Sequence, residues 1–174
     1  MSQTTSLPDV RVEPARWALV SDERGGGFVM ATVVGSSLHV HVGDPAPQGT
    51  GREHDGGLVT AVLDGTGSVV VETNTTPPAL LVARDGTRLL PAQPGQELPT
   101  RMREGDRLVL CSASGLDEPP AGLLHLLRCV ADDLLRVSPE HLLTTVLEGV
   151  DEGAATVIAR TPPGPAATTG DDSP

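Results

Sequence analysis

Between residues 9 and 161 the chain alternates short aliphatic runs with clusters of Gly, Asp and Pro. The runs are Val10 to Val20, Phe28 to Val34, Leu38 to Val42, Leu58 to Leu63, Ser68 to Thr73, Ala79 to Ala83, Thr87 to Leu90, Arg107 to Ser112 and Thr156 to Ala159. Segments of this length, rich in β-branched residues and bounded by turn formers, predict an antiparallel β-sandwich. Tight hairpins are predicted at Val34-Gly35-Ser36-Ser37, Asp64-Gly65-Thr66-Gly67 and Arg84-Asp85-Gly86-Thr87, where Gly supplies the positive φ of a short turn.

Helical periodicity begins late. Leu123, Leu124, Leu127, Val130, Ala131 and Leu134 recur at steps of three and four, which predicts one amphipathic helix over Ala121 to Arg136. A second helix is predicted from Ser138 as N-cap, with Pro139 at its first position, Glu140 near the positive end of the dipole and a stop at Gly149. The resulting class is α+β: a sandwich with few helices, in one domain over residues 9–161. Residues 1–8 and 162–174 are polar and poor in bulky apolar groups, and are expected to be disordered tails.

Composition narrows the function. All twelve basic residues are Arg, and the net charge of -11 opposes binding to a phosphate backbone, so nucleic acid is set aside as a partner. The core has to be aliphatic, since Trp17 and Phe28 are the only aromatics. Cys111 and Cys129 show no CxxC spacing, hence neither a disulfide framework nor a zinc site is signalled. The most apolar stretch, Gly122 to Val137, contains five charged or His residues and falls short of the about 18 apolar residues a membrane span needs. The first residues lack a secretory signal pattern, and the expected location is the cytoplasm.

Several motifs then occur in a recognisable order. Gly25-Gly26-Gly27-Phe28 and Gly43-Asp44-Pro45-Ala46-Pro47-Gln48-Gly49 come first. Pro77-Pro78-Ala79-Leu80-Leu81-Val82-Ala83-Arg84-Asp85-Gly86, Gly105-Asp106-Arg107-Leu108-Val109-Leu110 and Ser114-Gly115-Leu116-Asp117-Glu118 follow, then helices and a closing strand. Over roughly residues 16 to 160 this series resembles the sporulation stage II protein E type of PPM phosphatase. The resemblance implies Gly-Gly-Asp-Phe, Gly-Asp-Val-Ser-Gly-His-Gly, Gly-His-Pro-Pro, Asp-Gly-Leu-Thr-Glu and a final Asp-Asp. It also implies two long helices after the second motif, for which Thr50 to Gly57 leaves no room, so that pair is read as deleted.

By the same resemblance, a PPM phosphatase uses carboxylates to hold two Mg²⁺ or Mn²⁺ ions that activate water. Here Gly27 stands for the first aspartate, Ser114 for the third, and Glu152-Gly153 for the last pair, so that Asp44 alone survives unaltered. Gln48 and Thr76 replace the two histidines. No catalytic residue, metal site or cofactor is therefore expected, and Asp44 is read as a turn residue ahead of Pro45. The alternative is a residual phosphatase with a single rebuilt site from Asp44, Glu152 and the loop carboxylates Asp117, Glu118 and Asp151. His39 and His41 share one face of a strand, as in a His-x-His metal pair, but lack the nearby Glu and are read as half-exposed. His54 is read as a solvated loop residue and His125 as a core-edge one. The function expected is regulatory protein binding in bacterial signalling, with a sigma-factor regulatory protein as the kind of partner. A sheet face uncovered by the missing helices predicts a homodimer, or a heteromer with a partner helix; a structural subunit of a larger assembly is a third reading.

Overall fold

A computed structural model of the chain describes residues 2–44, 57–74, 79–92, 95, 97–112 and 120–162. Among the described residues, eleven strands and three helices follow in the order β1 (Ser2–Val12), β2 (Ala15–Arg24), β3 (Phe28–Val34), β4 (Ser37–Gly43), β5 (Leu58–Asp64), β6 (Ser68–Asn74), β7 (Ala79–Ala83), β8 (Gly86–Leu90), β9 (Thr100–Arg101), β10 (Arg107–Ser112), α1 (Ala121–Arg128), α2 (Ala131–Arg136), α3 (Pro139–Val146) and β11 (Gly153–Thr161). One sheet has the order β1-β2-β11-β10-β7-β8 and the other β3-β4-β5-β6-β9. All pairings are antiparallel.

Side-chain parity explains the layers. In β4, Leu38, Val40 and Val42 point inward and join Val59, Ala61 and Leu63 of β5 in a core that also holds Trp17, Leu19, Leu81, Leu108 and Leu110 from the facing sheet. The opposite parity of the first sheet, Leu80, Val82, Val109, Cys111, Ala155 and Val157, forms a second core with Leu123, Leu126, Leu134, Leu142 and Leu143 of the helices. The molecule is thus a three-layer stack of helices, sheet and sheet. β7 is buried on both faces, which is why it is apolar throughout (Ala-Leu-Leu-Val-Ala) and does not alternate.

Two arginines tie the helices down. Arg24 of β2 donates to the carbonyls of Leu147 (2.7 Å) and Val150 (3.2 Å) just beyond α3. Arg107 of β10 donates to the carbonyls of Leu134 (3.0 Å), Leu135 (2.9 Å) and Val137 at the end of α2. These are the orphan carbonyls of helix C-termini, and a cation there also opposes the negative end of the dipole.

Three expectations are corrected. Residues 2–8 are not a tail: they lie in β1, paired with β2 from Ser2↔Arg24 onward. The ordering comes from backbone hydrogen bonds to β2, while the side chains of residues 3–9 stay exposed and look tail-like in composition. The run Val10 to Val20 is not one strand but the end of β1 and the start of β2, reversed at Glu13-Pro14. The helix over Ala121 to Arg136 is two, because Cys129 and Val130 are extended, with ψ 157 and 128. Val130, in phase with the apolar stripe, consequently lies 65% exposed. The cap at Ser138 is as expected, its hydroxyl accepting the His141 N–H at 3.2 Å. Residues 163–174, most of the predicted C-terminal tail, are outside the described residues. No helix among the described residues is long and apolar enough to cross a membrane.

Candidate functional site

Four chain segments meet at one end of the stack: the β2–β3 corner, the residue after β4, the last residue of β10, and the start of β11. Asp44 follows the inward-facing Val42 at the next inward position and is only 5% exposed. Ser112 continues the parity of Leu108 and Leu110 and reaches the same place from the facing sheet. Its hydroxyl donates to Asp44 Oδ1 at 2.9 Å and accepts the Ala154 N–H at 3.1 Å. The second carboxylate oxygen, Oδ2, has no hydrogen-bond partner among the described residues. Burial pushes the Asp44 carboxyl above its ordinary value, the Ser112 hydrogen bond pulls it down, and negative Glu152 adds to the rise. Asp44, read from the sequence as a turn residue ahead of Pro45, is thus buried and hydrogen-bonded to the facing sheet. Behind it, Cys111 is sealed from solvent and its thiol is pushed up to about 12 by burial and by the Asp44 charge, which leaves it inert.

Gly27 has its own steric reason. A Cβ placed on it would lie 2.3 Å from both the carbonyl carbon and the oxygen of Gly153, and 2.7 Å from the Ala154 nitrogen. Gly153 in turn has φ +148, and its own Cβ would lie 2.6 Å from the Ser112 carbonyl oxygen. The β2–β3 corner and the start of β11 thus rest backbone on backbone, in a space too small for any side chain at either position. The neighbouring Gly25 faces Glu152 in the same way, its Cβ position 2.6 Å from Glu152 Cγ.

Sequence-predicted positions divide accordingly. Gly27, Asp44 and Glu152 come together, with Glu152 exposed at the rim beside the exposed Asp151. Ser114, Gln48, Thr76, His54, Asp117 and Glu118 lie outside the described residues. Among the described residues, no group of three or more His, Cys, Asp or Glu is placed to hold a metal ion. The described residues at this end do not fit a pair of divalent cations: among them one buried carboxylate faces a serine, and two positions are glycines pressed together. His39 and His41 lie on the outer face of the second sheet with ring centroids 6.4 Å apart, and His41 Nδ1 is 3.0 Å from Thr60 Oγ1. Ser112 was not among the expected site residues; a serine on the inward parity that Leu108 and Leu110 set was its signal.

No family model matches the chain, and no curated protein matches it in sequence. Its fold has relatives among solved structures. The crystal structure of the RsbU and RsbW domains of Rv1364c from Mycobacterium tuberculosis is similar with TM-score 0.57 at 17% identity, over 94% of this chain and 62% of that one. The PP2C phosphatase domain of SpoIIE from Bacillus subtilis, with a fragment of its regulatory domain, is similar with TM-score 0.51 at 12% identity, over 92% of this chain and 64% of that one. The chain spans less than two thirds of either. These likenesses establish the fold, the α+β sandwich of PPM (PP2C-type) phosphatases. It lacks the long helical pair: only residues 44–57 separate β4 from β5, too few for two long helices.

Proposed function

We propose that this chain is a non-catalytic protein of PPM fold, a regulatory module that works in the cytoplasm by binding another protein. The contact between Gly27 and Gly153 carries the reading, because it fills with backbone the place where a metal-binding carboxylate would have to project. The solved relatives support the regulatory part: one holds an RsbU and an RsbW domain together, the other a phosphatase domain with a regulatory fragment. A sigma-factor regulatory protein of bacterial signalling is the kind of partner this favours. The test is calorimetric titration of the purified protein with Mn²⁺, alongside hydrolysis of an aryl phosphate. The expected result is no saturable heat and no metal-dependent turnover; binding of two ions per chain, or sustained turnover, overturns the proposal and favours the residual phosphatase.

Self-association belongs to the same reading, and one sheet edge supports it. β1 is interrupted between Leu7 and Val10 and carries Pro8, Asp9 and Arg11; β8 has five residues including Arg88; β9 has two, including Arg101. Each is blunted by a charge, a proline, a break in pairing or shortness. β3, Phe-Val-Met-Ala-Thr-Val-Val, has no charge and no proline, and it pairs with β4 without a break. Met30, Val33 and Val34 are 54%, 48% and 57% exposed. Val34 and Ser37 flank the two-residue turn, so the backbone groups of Val29, Ala31 and Val33 point away from β4. Glu23 accepts the Val29 N–H at 2.8 Å, while Ala31 and Val33 face no strand among the described residues.

A second copy of β3 fits antiparallel, with Ala31 of each chain opposite Val33 of the other and Thr32 on the two-fold axis. Every cross-strand pair is then uncharged, which suits a chain of net charge -11 that repels itself elsewhere. Light scattering at micromolar concentration is expected to give twice 17.9 kDa. Thr32→Lys, which opposes two ammonium groups at the axis, is expected to give a monomer with unchanged circular dichroism; a monomeric parent protein overturns the dimer.

A further inference from the structure

The opposite end of the molecule carries a second constellation. Asp44 and Ser112 sit at the C-terminal end of β10, whereas Asp106 lies just before its first residue, about 20 Å away at the rise of an extended strand. Here the β7–β8 turn, β8, β9 and the loop before β10 enclose a cleft of about 190 Å³ lined by Ala83, Arg84, Asp85, Arg88, Arg101, Arg103 and Asp106. Four of the twelve arginines of the chain converge on it.

The carboxylates of the cleft neutralise them only in part. Asp85 pairs with Arg88 at 3.6 Å. Asp106 is buried, and its Oδ2 accepts the backbone N–H of Arg103 at 2.7 Å, so it holds the loop in shape and leaves the guanidinium outward. Arg84, Arg101 and Arg103 have no carboxylate within ion-pair distance among the described residues. In a chain with 23 acidic residues, a cleft lining where guanidiniums outnumber carboxylates two to one departs from the overall charge balance. Like charges held together repel, and an anion between them removes that cost.

We propose that this cleft binds a phosphoryl group. Planar guanidiniums present paired N–H donors that match two oxygens of a tetrahedral oxyanion, and several of them around one cleft can share its oxygens. Two excess positive charges match a phosphate monoester dianion. Ala83 is the one apolar residue of the lining, so the cleft offers little apolar surface for an acyl chain. The site stands apart from Gly27 and Asp44, and anion binding there holds whether or not the other end is catalytically silent.

The experiment is an NMR titration of the full-length ¹⁵N-labelled protein, reading arginine Nε–Hε and nearby amide signals. Inorganic phosphate is expected to give saturable shifts at Arg84, Arg101 and Arg103 that weaken as salt is raised. The doubly substituted Arg84→Gln, Arg101→Gln protein, altered only at exposed positions, is expected to lose at least about tenfold in affinity while its remaining spectrum is unchanged. A phosphoserine peptide binding more tightly than inorganic phosphate identifies a phosphoprotein as the source; equal affinities identify the free anion. Absence of saturable shifts, equal affinity in the substituted protein, or a glutamate-substituted peptide binding as well as the phosphoserine peptide overturns the proposal.

Discussion

Gly27→Asp is expected to destabilise the protein by about 3 kcal/mol and to create no manganese site. It is the substitution that a reading of the sequence by resemblance would choose to restore a metal ligand. The obstacle is steric, and it arises at the first side-chain atom. The Gly153 peptide lies 2.3 Å from the Cβ position, and backbone cannot swing aside as the end of a long side chain can. Gly153 is itself fixed between β2 and β10, through the register Gly153↔Arg24 and the neighbouring pair Ser112↔Ala154. Any relief therefore has to loosen β11 from both of its neighbours. The added carboxylate also lands close to Asp44 and Glu152, whose negative charges already disfavour one another. Urea unfolding of the parent, Gly27→Ala and Gly27→Asp separates the effects: Gly27→Ala is expected to carry most of the loss. Equal stability of the parent and Gly27→Ala, or Gly27→Asp binding Mn²⁺ without loss of stability, contradicts the packing argument.

Arg107→Met is expected to cost about 3 kcal/mol, although the residue touches no proposed ligand. Methionine retains much of the apolar stem but none of the donors. The carbonyls of Leu134, Leu135 and Val137 then lose their partner in a half-buried place. α2 has six residues, far fewer than an isolated helix needs, so its persistence depends on such tertiary support. Burial lowers the pKa of Arg107, and negative Glu140 partly offsets this, but a guanidinium stays charged in either case. Lysine at this position keeps the charge and loses the fork, and is expected to fall between the two. Arg128→Met, at an exposed residue that ends α1, serves as the control and is expected to change stability by less than about 0.5 kcal/mol. Denaturation midpoints, with amide exchange across residues 131–136, measure both effects. An Arg107→Met protein as stable as the control substitution removes the clamp from the account.

Much of this architecture was legible in the chain because it is local. Phe28 to Val34, Ala79 to Ala83 and Arg107 to Ser112 coincide with β3, β7 and β10, and the Ser138-Pro139 start of α3 follows from cap chemistry within three residues. The failures share a cause. Residues 2–8 look like a tail because their partner, β2, is reached only after the chain turns back. Val130 keeps helical phase, yet the chain leaves the helix at Cys129 and Val130, and α2 ends where Arg107 of the sheet clamps it.

The candidate site divides along the same line. Which charges are present could be read along the chain: glycine where the resemblance implies aspartate at 27 and 153, one surviving Asp44, and a surplus of acid with arginine as the sole strong base. It took the folded chain to show that Gly27 and Gly153 press together, that Ser112 and Asp44 bond across 68 residues of chain, and that four arginines from separate segments line one cleft. The reason is that residue identity and local periodicity are written along one dimension. A steric contact or a converging field depends on distances set by sheet pairing between remote segments.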